Sequence, residues 1–185
     1  NPLRRWPSPQ IAKKHMWPKL SMIVDVNFKV STSGMNSDII LPTAGYYERD
    51  SLKYTQAYLP YLLACEKAVE PLGDAKPEWA IFGLLARKIQ DRAKERGVST
   101  VKDVMGASTD LSTVYDRWSA DGRFHEDDAR AALDYILRNT PVTGNKGWDE
   151  LVKTGMLPIL EMSGGPNPLY SVATDYKRGR TLYPH

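Results

Sequence analysis

The chain has 185 residues, 42% of them hydrophobic and 25% charged, which allows one good core or two small ones and excludes neither an enzyme nor a binding module. No apolar run approaches the roughly 18 residues of a membrane helix, and a net charge of +3 without a concentrated basic face argues against nucleic acid. A single cysteine, Cys65, excludes an internal disulfide and an iron–sulfur cluster held by this chain alone, while His15, His125 and His185 never occur at metal-ligand spacing.

The first residues, NPLRRWPSPQ, open on Asn1 without methionine, and the chain is expected to be a piece of a longer polypeptide. Residues 1–19 hold four prolines and read as loop with one helical turn near Ile11–Met16. Leu20, Met22, Ile23, Val24 and Val26 then make a nearly continuous apolar run, which suits a strand buried on both faces, as in a parallel sheet. DIILP, from Asp38 to Pro42, predicts a second such strand, with room between them for only a short crossover. From Glu48 to Asp74 the pattern is irregular and rich in tyrosine.

The clearest helix follows. KPEWAIFGLLARKIQDRAKERG places Trp79, Phe82, Leu85, Ala86, Ile89 and Ala93 on one stripe, with Pro77 in the first turn and Gly97 at the stop. A second helix is expected over 111–120, with Leu111, Val114, Tyr115 and Trp118 inward and Asp110 near its cap. A third is expected over 126–139, with Ala129, Ala132, Leu133, Ile136 and Leu137 inward. Its Glu126, Asp127 and Asp128 suit the positive end of a helix dipole. A short helix over 148–153 ends at Gly155, and the tail beyond has no clear period. The expected fold class is α/β: a partial parallel-sheet, Rossmann-like layer followed by a mainly helical segment. The expected division is an α/β cofactor-binding segment over 1–97, a helical segment over 98–160, and an irregular tail or connection to the next domain over 161–185.

Ligands of open α/β sheets gather at the carboxyl ends of the strands. Asp25 lies near the end of the first strand, and a carboxylate accepts hydrogen bonds from a guanine edge or ribose hydroxyls. Ser31, Thr32, Ser33 and Gly34 follow, small enough to let phosphate oxygens reach backbone N–H groups. Thr43, Ala44 and Gly45 repeat the pattern after the second strand, and Glu48 stands where it can orient a loop or pair with Arg49 or Lys53. Packing remains open as an alternative, since small residues also let a helix sit close. Gly-x-Gly-x-x-Gly and Walker loops are missing. The basic cluster Lys177-Arg178-Gly179-Arg180 reads as a solvated turn, with a phosphate site as the alternative.

The stretch DVNFKVSTSGMNSDIILPTAGYYERDSLKY resembles the late signature of molybdopterin oxidoreductases of the dimethyl sulfoxide reductase family. Asp38, Ile39, Ile40, Leu41, Pro42, Ala44 and Glu48 match; Gly34 and Gly45 replace residues usually Ser, Thr, Ala or Cys. The continuation KYTQAYLPYLLACEKAVEPLGDAKPEWAIFGLLARKIQ is similar to the type II branch that holds ethylbenzene dehydrogenase, dimethyl sulfide dehydrogenase, and the selenate and chlorate reductases. The resemblance implies a bis-molybdopterin guanine dinucleotide cofactor with molybdenum. It also implies a [4Fe-4S] cluster, with both that cluster and the catalytic residues outside this segment. Asn1 and Pro2 would border the pterin, and Asp25, Ser31, Thr32, Ser33 and Asp38 would lie at or near the nucleotide end.

Implied partners are the remainder of the catalytic subunit, an iron–sulfur electron-transfer subunit and a heme subunit, without a direct membrane span. A periplasmic location is expected, with a cytoplasmic one as the alternative. Leu52, Lys53, Tyr54, Tyr58, Leu59, Tyr61, Leu62 and Leu63 read as an apolar substrate wall, or else as ordinary core. Such a wall points to hydroxylation of an alkyl-aromatic or steroid side chain with water-derived oxygen. Selenate or chlorate reduction and dimethyl sulfide oxidation are the alternatives within the branch. A non-catalytic nucleotide- or partner-binding module is the alternative of another class.

Overall fold

Strands β1 (Val24–Asn27) and β2 (Ile39–Pro42) run in parallel, with Val24 opposite Ile39 and Asn27 opposite Pro42. This is the pair expected from the two apolar runs, in a computed structural model that describes residues 2–54, 61–102 and 104–159. The connection between them is one tight helical turn, Gly34–Asn36, closed by Met35 N–H onto the Ser31 carbonyl (2.8 Å) and Asn36 N–H onto the Ser33 carbonyl (3.0 Å). Ahead of β1 the proline-rich stretch is more helical than expected. Helix α1 (Pro2–Arg5) and helix α2 (Pro9–Ile11) lead into a wide π turn, Ala12–Met16, and a 3-10 turn, Trp17–Lys19. Pro9 opens a helix, where its missing N–H would have had no partner.

The tyrosine-rich segment read as irregular contains two strands, β3 (Ser51–Tyr54) and β4 (Tyr61–Cys65). They form an antiparallel sheet with β7 (Met156–Pro158), in the order β3-β4-β7, and Leu62 lies opposite Leu157. Helices α5 (Ala129–Arg138) and α6 (Trp148–Thr154) cover this sheet. Leu137 and Leu151 are 0% exposed and Trp148 is 2% exposed; with Leu157 they form the centre of the core, and Leu52, Leu62, Ala64, Leu133 and Val152 pack around them. Leu62 and Ala64, two residues apart on β4, therefore share the inward face. Ala132 and Leu137 are buried as the periodicity predicts, whereas Ile136 is exposed.

Helix α3 (Glu78–Arg96) has the expected bounds: Pro77 precedes it, and Gly97 closes it at φ 65°, the left-handed conformation glycine tolerates. Its buried face differs from the expected one. Ala80, Ile81, Gly83, Ala86, Gln90 and Ala93 face inward, while Phe82, Leu85 and Ile89 are exposed. The reason is Trp118 at the end of helix α4 (Val114–Trp118). A Cβ at position 83 would lie 2.5 Å from the Trp118 ring and 2.6 Å from Glu126 Cγ, so only the small-residue face accepts this neighbour. Trp118 in turn stacks on Tyr115 and lies against Trp79, ring centroids 4.3 Å apart for the second pair. Gln90 Oε1 accepts the Tyr115 and Asp116 N–H groups at 2.8 and 3.2 Å, which satisfies two first-turn donors of α4.

Before α4, a hairpin of β5 (Thr100–Lys102) and β6 (Ser108–Asp110) leads to a 3-10 turn, Leu111–Thr113, capped by Asp110. Helix α5 starts at Ala129 rather than 126, with Asp128 as its cap accepting the Ala131 N–H at 3.0 Å. Gly155 ends α6 as expected. The expected division between 97 and 98 is crossed by the contact of α3 with α4 and by the pairing of β4 with β7. No helix among the described residues is long and apolar enough to cross a membrane. Asn1, Tyr58, Leu59, the basic cluster at 177–180 and the tail over 161–185 lie outside the described residues.

Candidate functional site

Most of the residues singled out in the first turn meet in one cluster. The Ser31 hydroxyl donates to Asp25 Oδ2 (3.3 Å) and accepts the Gly34 N–H (3.2 Å). Glycine at 34 lets this carboxylate lie against the turn, since a Cβ there would sit 2.6 Å from the same Asp25 oxygen and push it aside. The Ser33 hydroxyl accepts the Leu3 N–H (3.2 Å), which brings α1, and Pro2 with it, onto the turn. Ser31, Ser33 and Leu3 are buried; Thr32 is exposed, and its carbonyl accepts the Asn36 amide (2.7 Å). The Trp17 indole N–H donates to the Asn36 carbonyl (2.7 Å) and fastens the preceding helical stretch to the same turn.

Asp38 stands apart from this cluster. Its Oδ2 accepts the Ile23 N–H at 2.7 Å, just ahead of β1 and β2. Parallel strands share their ends, so Asp38 lies at the amino edge of the pair. Asn27, Pro42 and Thr43 occupy the carboxyl edge.

At that carboxyl edge Thr43 N–H donates to the Asn27 carbonyl (3.1 Å) and Ala44 N–H to the Lys76 carbonyl (2.9 Å). Thr43 is 4% exposed, and its Oγ1 has no hydrogen-bond partner. Buried hydroxyls are almost always paired, and an unpaired one costs about 1–3 kcal/mol. Sequence reasoning noted Thr43 only as small; nothing in the spacing distinguishes its hydroxyl from those at 31–33. Glu48 orients the following loop, as expected: Oε2 accepts the Gly45 N–H (2.6 Å) and Oε1 the Leu72 N–H (3.3 Å). Arg49 turns away from it to pair with Glu78 and lies over the Tyr46 ring.

A concavity of about 710 Å³ opens beside these loops, with Arg49, Lys76, Arg87, Arg130, Asp50 and Glu126 on its walls. Its charges are largely matched. Arg87 donates to the Tyr115 hydroxyl (2.6 Å) and to Glu126 Oε2 (2.7 Å), and the Tyr115 hydroxyl donates to the same carboxylate (2.9 Å). Burial pushes the Glu126 carboxyl up, but a backbone N–H, Tyr115 and Arg87 outweigh it and hold the group below its ordinary range. Arg130 reaches Asp50 from eighty residues away, at 3.2 Å, and this hydrogen bond raises the guanidinium further. Of the acids expected at the positive end of a helix, Asp128 caps α5 and Glu126 is the ion-pair partner of Arg87. Among the described residues no group of three or more His, Cys, Asp or Glu side chains converges to hold a metal ion.

The expected substrate wall is divided. Leu52 and Leu62 pack into the core around Trp148, Lys53 is exposed, and Tyr61 and Leu63 are half-buried. The Tyr54 side chain lies outside the described residues.

Known proteins bear on this geometry. Residues 7–88 match the family model described as "Molybdopterin oxidoreductase". The chain is 40% identical over 145 residues to the respiratory nitrate reductase subunit alpha of Haloferax mediterranei, covering 76% of this chain and 15% of that protein. It is 31% identical over 129 residues to the perchlorate reductase subunit alpha of Dechloromonas aromatica, covering 69% of this chain and 14% of that one. Against the dimethylsulfide dehydrogenase subunit alpha of Rhodovulum sulfidophilum it is 29% identical over 143 residues, covering 77% and 15%. The chain thus spans about 15% of the length of the curated relatives it matches. Residues 7–88, with the parallel pair β1–β2 at their centre, are a stretch of a molybdopterin oxidoreductase domain of the dimethyl sulfoxide reductase family.

Proposed function

We propose that this chain is the part of a molybdenum oxidoreductase catalytic subunit that helps to grip one molybdopterin guanine dinucleotide, and that the whole protein reduces an inorganic oxyanion. The observation that carries the grip is the buried, unpartnered Thr43 hydroxyl at the carboxyl edge of β1–β2. A dinucleotide offers phosphate and ring acceptors for such a donor, so the residues present fit the group. Asp25 and the exposed Thr32 are further candidates for its nucleotide end, and Ser31 and Ser33 hold the turn in shape. Asp38, at the opposite edge, acts on this reading by fixing the start of β1. The bound cofactor supplies the redox chemistry; these residues bind and orient it.

Reduction of an oxyanion is favoured by the relatives, nitrate and perchlorate reductases among them. Hydrocarbon hydroxylation loses support because Leu52 and Leu62, two members of its apolar wall, are spent on the core. Relatives named as alpha subunits support further subunits in the whole protein. The reading makes these an iron–sulfur electron-transfer subunit with or without a heme subunit, and keeps a periplasmic location.

The test uses the full-length protein. Metal analysis and acid release of guanine nucleotide are expected to find molybdenum and the dinucleotide; absence of both overturns the reading. Reduced-viologen oxidation is expected with nitrate, chlorate or perchlorate. Dye reduction by a hydrocarbon or by dimethyl sulfide, without oxyanion activity, overturns the substrate class. Thr43→Val keeps the shape and removes the hydroxyl. It is expected to lower dinucleotide occupancy about 3- to 10-fold, the worth of one hydrogen bond.

A further inference from the structure

Helix α3 changes character along its length. From Trp79 to Ala86 every residue is uncharged, on all sides of the helix, whereas Arg87 to Arg96 alternate charged residues with a narrow buried stripe. A helix that is apolar all round is a buried helix. Only one side of this first half is covered: Ala80, Ile81 and Gly83 face the protein, against Trp118 in the case of Gly83. On the other side Phe82 is 54% exposed and Leu85 is 42% exposed, with Leu84 and Ile89 beside them.

This open side continues onto the sheet. A pocket of about 260 Å³, lined by Leu41, Pro42, Ile81, Leu84 and Leu85 together with Asp74 and Lys76, joins the helix to the end of β2. Val24, Ile39 and Ile40 are exposed on the strand pair itself. Parallel strands occur almost only with both faces covered, and two strands are few for a parallel sheet. The continuous apolar surface therefore belongs to an interior.

We infer that the Phe82–Leu85–Ile89 side of α3, together with the pocket at Leu41 and Pro42, is covered by further polypeptide of the same catalytic subunit, outside these 185 residues, packing as an aliphatic layer. The occupant is argued from length: the relatives are more than six times as long as the stretch matched here, since that stretch is 15% of the nitrate reductase alpha subunit. It is argued also from the polarity of the helix. The exposed apolar residues lie in its uncharged half, whereas a rim facing another subunit or water would carry the charges found after Ala86. The inference does not depend on which reaction the protein performs.

The experiment uses the full-length catalytic subunit in its purified complex. Leu85→Cys is expected to react with a maleimide about 100-fold more slowly than Leu72→Cys, whose parent side chain is 84% exposed. A photo-crosslinking residue at position 85 is expected to join peptides of the same subunit that lie outside 1–185, with no band of higher mass. Equal labelling rates, crosslinks confined to 1–185, or a band joining two chains would each overturn the inference. A complex without molybdenum but with slow labelling and the expected crosslinks would refute the proposed function and leave this inference standing.

Discussion

The two ends of the described chain are built to different standards of closure. Around Trp148 the C-terminal part carries its own core, with β3, β4 and β7 on one side and α5 and α6 on the other. Around β1–β2 the N-terminal part is held instead by polar clasps: Ser33 to Leu3, Asp38 to Ile23, Trp17 to Asn36. Apart from Leu3 and Ala44 its large apolar residues stay open, Val24, Ile39 and Ile40 among them. A region with a filled core keeps its shape through burial, which scales with area. A region of clasps keeps a backbone trace while leaving a surface for something else to cover.

That contrast can be broken or sharpened by substitution, with hydrogen exchange in the full-length subunit as the common readout. Trp148→Ala empties the core centre and is expected to destabilise its surroundings by about 3–5 kcal/mol, raising exchange across α5, α6, β3 and β4. If β1–β2 exchanged faster to the same degree, the two regions would be one cooperative unit and the contrast would fall. Gly83→Ala forces a methyl into Trp118 and Glu126 and is expected to cost about 1–3 kcal/mol at the contact of α3 with α4.

Acid should act on the same side. Glu126, Asp134 and Asp110 are held below their ordinary values: burial works against the shift in Glu126, Arg138 leads it in Asp134, and Ser112 in Asp110. A depressed carboxylate contributes its full stabilisation above its unfolded-state value and loses it as pH falls through the folded-state value. Protection in the helical part, corrected for the intrinsic pH dependence of amide exchange, is therefore expected to hold from neutrality down to about pH 4 and to fall below it. Glu126→Gln should remove part of that dependence. The smallest effect is Ser33→Ala, about 0.5–1.5 kcal/mol, seen as faster exchange of the Leu3 amide with no change over 129–157.

Much of the frame was legible because its signals are local. A nearly continuous apolar run and the short run Ile39–Leu41 announce β1 and β2, and Pro77 and Gly97 bracket α3 to within a residue. What was misread depends on distant partners. The inward face of α3 is ambiguous from Trp79 to Ala86, where every direction is apolar; Ala86 faces inward as expected, and the bulk of Trp118 selects Gly83 over Phe82 and Leu85. Strands β3 and β4 escaped notice because their inward residues find a common face only when β7, ninety residues on, completes the sheet. In the candidate site, the grouping of Asp25 with Ser31 follows from short separation. The distance of Asp38 from that group follows from strand direction, which no residue pattern records. The solitary hydroxyl of Thr43 becomes visible only once its surroundings are counted.

Glu48 joins the amide of Gly45 to that of Leu72 through a single carboxylate. The excursion between those two anchors carries β3 and β4, so one acid moors both the outgoing and the returning strand connection of the core sheet. An insertion there would have to respect the pairing of β4 with β7 and the packing of Leu62 beside Trp148, whereas loss of the carboxylate alone would slacken the moorings and leave the sheet itself intact.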